Sequence, residues 1–193
     1  MELPSDSFYP KNQFRFCPFC GSEGFPEKVP FCHKCSRCNR LFYINGSSAV
    51  VALILNPAGE LLVTRRANDP AKGTLDLPGG FVAPEESAET AVVREIKEEL
   101  HLEVDSLTYF GSFPNRYLYN NLVYFTTDLV YICSVTDFSP LRADDDVEGY
   151  LFVKPQNLRP DEMGLPSIKN VIAAFTANPE PCLTQRIFNP LNA

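Results

Sequence analysis

No apolar run in this 193-residue sequence approaches the roughly 18 to 20 residues that cross a bilayer, and residues 1–10 have no basic flank leading into an apolar segment. The expectation is a protein that is neither secreted nor membrane-inserted, with a cytoplasmic location. Internal repeats and low-complexity tracts are also missing. Charged residues make up only 21% of the chain, without the periodicity of a coiled coil, and the 45% that are apolar are too many for disorder. What remains is a globular protein with length for one sizeable core and a small appendage.

An excess of positive charge is missing from most of the chain. Residues 1–46 carry six Lys and Arg against four Asp and Glu, whereas the rest carry eleven against twenty. So acidic a body argues against broad electrostatic adhesion to nucleic acid. It suits a protein that recruits phosphorylated substrates through metal ions.

Five of the seven cysteines fall within 22 residues, which requires a local cause. Cys17-Pro-Phe-Cys20 and Cys35-Ser-Arg-Cys38 are two CxxC pairs, each able to curl its backbone so that both thiolates point at one metal, with fourteen residues between them. The spacing is that of a zinc ribbon. Disulfides would need an oxidising compartment, and a segment of about 30 residues cannot stabilise itself by apolar burial alone. Cys32-His33-Lys34-Cys35 is also a CxxC pair, which leaves Cys32 and His33 as alternative ligands. Cys35 and Cys38 are preferred because Leu41, Phe42 and Tyr43 follow as a closing strand. Lys34, Arg37 and Arg40 read as solvated knuckle surface or, less favourably, as a nucleic-acid contact.

After Gly46 the pattern changes. Ala49 to Leu55 is a continuous apolar run of strand length, expected to be a buried central strand. Asn56 to Gly59 supplies turn chemistry, and Glu60 to Arg66 is expected to return as the second strand of a hairpin. Glu86 to about Leu100 reads as a helix with Ala88, Ala91, Val92, Ile96 and Leu100 on its apolar face, Pro84 and two glutamates marking its start. Ser106 to Arg116 and Leu122 to Val135 read as long strands joined around Asn120-Asn121, Tyr150 to Val153 as a short strand, and Ser167 to Ala177 as a closing helix. The fold class is α/β or α+β, with residues 1–46 as one domain and 47–193 as the other.

On the first helix Glu95, Glu98 and Glu99 stand at i, i+3 and i+4, so three carboxylates share one face. Their mutual repulsion disappears if a divalent cation sits among them, and hard oxygen donors suit magnesium or manganese. Arg94, eight residues after Glu86, can hold a carboxylate in a bidentate contact. Alone, the string Arg-Glu-Ile-Lys-Glu-Glu-Leu would be an ordinary solvated helix. With Leu77-Pro78-Gly79-Gly80 ahead of it, the order Gly80, five residues, Glu86, seven residues, Arg94-Glu95-Ile96-Lys97-Glu98-Glu99 and then Leu102 resembles the Nudix box of the Nudix hydrolases. The resemblance covers about residues 47–177, and the cysteine segment is similar to the zinc ribbon of NADH pyrophosphatase-type members.

The resemblance implies an α/β/α sandwich with a mixed sheet and hydrolysis of a nucleoside diphosphate linked to another moiety. It also implies that Glu95, Glu98, Glu99 and the Gly80 carbonyl bind Mg2+ or Mn2+, and that Arg94 orients the catalytic carboxylates through Glu86. Zinc would be structural. The box's closing glycine is His101 here, at a position where helices usually end in the left-handed conformation at a cost to His of about 1 kcal/mol. That departure reads as structural only. Ala83 and Glu85 replace an acidic residue and a glycine common in the family.

A general base comes either from the box or from a later acidic loop, where Glu148 in Asp144-Asp-Asp-Val-Glu148 is the choice and a solvated turn the alternative. Phe113, Arg116 and Tyr117 are candidate substrate contacts, or strand residues packing on the body. The longer Ser-Gln-Pro-Trp-Pro-Phe-Pro motif of NADH pyrophosphatases is reduced to Ser112-Phe113-Pro114, and the chain has no Trp. ADP-ribose-like compounds or nucleotide sugars therefore lead as substrates. NADH or NAD, an RNA cap or a nucleoside triphosphate are the alternatives, and a non-catalytic nucleotide sensor ranks last. A homodimer is a possible assembly.

Overall fold

A computed structural model describes residues 5–178. The parts of the two expected domains at residues 1–4 and 179–193, Cys182 among them, lie outside the described residues. Two compact units are present: the described residues up to Gly46 together with Arg116–Phe125, and Ser47–Asn115 together with the described residues from Thr126.

In the first unit a short helix α1 (Pro10–Gln13) precedes a three-stranded antiparallel sheet of β1 (Glu27–Val29), β2 (Cys32–Lys34) and β3 (Leu41–Tyr43). Its small core gathers Cys17, Phe25 and Cys35 with Phe14, Cys38 and Phe42 packed on them. Phe125 packs against Tyr9 and edge-on to Phe31, and Gln13 donates to the Asn121 carbonyl, which accounts for the inclusion of Arg116–Phe125 in this unit.

In the second unit β4 (Ser47–Ile54) pairs in parallel with Thr126–Cys133 of β8 (Leu122–Ser134), which neighbours β7 (Ser106–Tyr119), the Arg116–Phe125 portions of these two strands being counted with the first unit. A second sheet has β5 (Leu61–Arg66) between β6 (Leu75–Asp76) and β9 (Val147–Val153). The apolar run of β4 reflects burial on both faces. Val50, Ala52 and Ile54 meet Ala91, Val92, Ile96 and Leu100 of helix α2 (Ala88–Leu100). Val51 and Leu53 instead meet Ile168, Val171, Ile172 and Phe175 of helix α3 (Pro166–Ala177). Sheets between two helices make the α/β/α sandwich with mixed strand directions. No described helix is long and apolar enough to cross a membrane.

Two expectations are corrected. Strand pairing between the end of β4 and β5 is confined, among the described residues, to the Leu55–Leu61 bridge just past Ile54, and the two strands join different sheets. The reason is that the free edge of β4 is taken by the Pro78–Val82 segment, through Ala52 N–H to Pro78 O, Val50 N–H to Gly80 O and Val82 N–H to Ser48 O. Helix α2 begins at Ala88, not Glu86, because Ser87 is its N-cap and accepts from the Thr90 amide at 3.1 Å. Glu86 is thereby left in the preceding loop, where its carboxylate turns back toward the helix.

Candidate active site and cysteine cluster

The segment laid along β4 brings Gly79 and Gly80 to the flank of α2, and the backbone at Gly79 requires glycine. Gly79 has φ +148°, and a Cβ there would lie 2.0 Å from the Val50 carbonyl oxygen. At Gly80 a Cβ would lie 2.4 Å from Oε1 of Glu95, so this glycine is the floor on which the Glu95 carboxylate rests. The Gly80 carbonyl accepts the Val50 N–H at 2.8 Å, leaving it one further lone pair.

Arg94 is the hub of the cluster. Its Nε and Nη2 donate to the two oxygens of Glu86 at 2.9 and 3.0 Å, its Nη1 to Glu95 at 2.9 Å and Glu98 at 2.8 Å, and its Nη2 also to the Phe81 carbonyl at 3.1 Å. The planar fork fits the bidentate contact that holds Glu86. Glu86 also accepts the Ala83 amide at 3.0 Å, and these hydrogen bonds, that of Arg94 foremost, hold its carboxyl below the ordinary range. One guanidinium thus serves three carboxylates.

Glu99 is the fourth carboxylate and is only 6% exposed. Its carboxylate accepts the Gly79 amide at 3.1 Å. Burial pushes its carboxyl well above the ordinary value, outweighing that amide, and the charges of Glu95, Asp76 and Asp146 push the same way. Burial likewise raises Glu95, against the pull of Arg94. Glu98 is the exposed member. Two carboxylates whose charged forms burial disfavours, beside an exposed third, form a donor set that a divalent cation would complete, since its charge supplies what burial withholds.

Glu148 lies exposed on β9 beside the irregular pairing at Arg65 and Arg66. Asp146, two residues earlier and not singled out from sequence, is the loop carboxylate whose charge acts on Glu99. It is held by Asn68 Nδ2 at 2.7 Å and by the Ala67 amide, which donates to its carbonyl at 2.9 Å. A second feature missed is the pair of half-buried Arg66 and buried Asp76 at 2.5 Å, directly before the Leu77–Gly80 segment. Phe113 stacks on Phe110 over the core beneath α3, within the second unit. Arg116 and Tyr117 belong to the first unit, where Tyr117 stacks on Tyr119.

In the first unit the Sγ atoms of Cys17, Cys20, Cys35 and Cys38 all lie within 4.8 Å of one another. Cys17–Cys38 and Cys20–Cys35 are both 3.7 Å apart. A tetrahedral ion with metal–sulfur bonds of about 2.3 Å sets its sulfurs roughly 3.8 Å apart, so the cluster has the size that zinc needs. Backbone amides of Arg37 and Cys38 donate to Cys35 Sγ, and the Cys35 thiol is pulled down to about 5, chiefly by the Cys38 amide. Such a thiol is ready to bind metal. Cys32 and His33 are outside the cluster, and His33 Nδ1 is 2.8 Å from the Phe25 carbonyl. Among the basic knuckle residues, Arg40 sits over the Phe19 ring at 5.1 Å.

The NUDIX domain family matches residues 46–175. An ADP-ribose pyrophosphatase of Methanocaldococcus jannaschii is 37% identical over 118 residues, which are 60% of this chain and 66% of that protein. An NAD-capped RNA hydrolase, NudC, of Escherichia coli O1:K1 / APEC is 32% identical over 102 residues, 52% of this chain and 38% of its own length. The chain therefore spans less than two thirds of the length of either relative. Among solved structures, a NUDIX hydrolase from Nitrosomonas europaea shares the fold with a TM-score of 0.67 at 18% identity, over 85% of this chain and 91% of the other.

Proposed function

Because the chain belongs to the NUDIX family, we propose that it is a pyrophosphohydrolase that uses magnesium or manganese to cleave the diphosphate of a nucleoside diphosphate linked to another moiety. The observation that carries this reading is the grouping of Glu95, Glu98 and Glu99 on one face of α2, with Glu95 resting against Gly80 and Glu99 buried beneath the Gly79 amide. Those three carboxylates and the remaining lone pair of the Gly80 carbonyl would hold the ions. When bound, such ions neutralise a diphosphate and make water a competent nucleophile near neutral pH. Arg94 keeps Glu86, Glu95 and Glu98 in fixed positions, so that little reorganisation accompanies substrate binding. The loop from Asp144 to Glu148 would take the proton of the attacking water, with Asp146 and Glu148 as its two candidate bases.

An ADP-ribose-like substrate is supported by the 37% identical relative, and a capped RNA by the 32% identical one. In the first unit the four cysteines would hold a structural zinc. The test is a product assay with magnesium or manganese, offering ADP-ribose, NADH, nucleotide sugars, nucleoside triphosphates and NAD-capped RNA in parallel. The expected result is AMP from ADP-ribose, absent when the metal is chelated. AMP or a 5′-monophosphate RNA from another substrate alone would move the assignment to that class. Metal-independent turnover, or none with any of them, would contradict the reading.

A further inference from the structure

We infer that His101, at the box's glycine position, is a positioning residue that ties the acidic loop Arg142–Asp146 to the end of the carboxylate-bearing helix. The inference rests on the function proposed above. His101 caps α2 in the left-handed region, at φ 58° and ψ 19°, with its amide still bonded to the Lys97 carbonyl. That backbone suits glycine, so an imidazole here is held at a conformational cost that its contacts offset.

Those contacts all reach one loop. Nε2 of His101 is 3.1 Å from Asp144 Oδ2, and Nη2 of Arg142 is 3.3 Å from His101 Nδ1. A guanidinium can only donate, so Nδ1 accepts; Nε2 then carries the hydrogen and donates to Asp144. The imidazole is thus a strut with one acceptor and one donor, each used by a different loop residue. Two backbone bonds lie beside it: the Asp144 amide donates to the Glu99 carbonyl at 2.9 Å and the Arg142 amide to the Leu100 carbonyl at 3.3 Å. The loop is thereby fastened to the turn that presents Glu99. Asp146 follows two residues later, near enough for its charge to act on Glu99.

A glycine at position 101 would relax the backbone and remove both side-chain ties. The expected result for His101→Gly is a melting temperature equal to or above wild type, with kcat about 10- to 100-fold lower and an unchanged metal concentration for half-maximal rate, because the helix carboxylates stay in place. Hydrogen exchange at the Asp144 amide should quicken. His101→Gln, whose amide offers an acceptor and a donor spaced as in imidazole, should recover most of the lost kcat, and Arg142→Ala should lower kcat without adding to the loss in His101→Gly. Wild-type kcat in His101→Gly, or equal losses in the Gly and Gln variants, would overturn the inference. Glu98→Gln run alongside separates the two questions. If it is inactive while His101→Gly is normal, only the strut is wrong. If it turns over normally, the proposed function itself fails.

Discussion

Glu99→Gln should lower turnover roughly a hundred- to ten-thousand-fold while leaving the fold intact, and should make the metal-free protein less sensitive to pH. The kinetic loss follows from removing one anionic donor from the ion-binding set, where several kcal/mol of charge stabilisation are at stake and each 1.4 kcal/mol is a factor of ten. Glutamine keeps an oxygen for the Gly79 amide, so the link between the glycine segment and the helix survives. The sign of the pH effect follows from burial. With its folded-state pKa raised, Glu99 binds a proton more tightly in the folded chain than in the unfolded one. Its contribution to stability is therefore full below the ordinary carboxylate value of 4.5 and is lost as pH rises through the elevated one. Metal-free wild type should lose melting temperature across that window relative to Glu99→Gln, and added magnesium should remove the difference. Glu98→Gln should lose activity comparably, because it removes another anionic donor from the same helix face. Near-normal turnover in either variant would remove that glutamate from the site.

Cys17→Ser should abolish zinc binding and unfold the small first unit. Structural zinc contributes apparent binding free energies of about 10–16 kcal/mol at neutral pH, and a unit whose core is Cys17, Phe25 and Cys35 with three partly buried neighbours has little else to hold it. Metal analysis of the purified chain should find one zinc in wild type and almost none in Cys17→Ser, with faster proteolysis in residues 14–46. Cys32→Ser is the informative control: it is a cysteine of the same cluster in sequence but not in space, so it should retain zinc. Zinc loss in Cys32→Ser with retention in Cys17→Ser would reverse the ligand assignment.

These expectations draw on different amounts of legible sequence. The carboxylate face of α2 was readable because i, i+3 and i+4 spacing is fixed by helix geometry, and the CxxC pairs because two thiolates with two residues between them converge without distant help. The choice of Cys35 and Cys38 over Cys32 followed from the closing strand and agrees with the observed cluster. What the sequence hid depends on contacts far along the chain. The Pro78–Val82 segment displaced β5 from β4, which no local turn signal reveals, since Asn56 and Gly59 form the turn as expected. The start of α2 was misread because Pro84 and two glutamates imitate a first turn, while the capping hydroxyl of Ser87 decides the matter. The left-handed geometry of His101 was foreseen, but its role was not, because Arg142 and Asp144 lie about forty residues away. Burial of Glu99 was equally invisible: a glutamate between Glu98 and Leu100 looks solvated until Gly79 closes over it.

The central claim is attack of water on phosphorus at the carboxylate cluster, and hydrolysis of ADP-ribose in water enriched in oxygen-18 tests it most directly. With magnesium or manganese present, mass spectrometry should find one labelled oxygen in the phosphate of AMP or of the ribose phosphate, in step with turnover, and none in the Glu98→Gln reaction over the same time. Products whose phosphates carry no label, or equal labelling in Glu98→Gln, would contradict it.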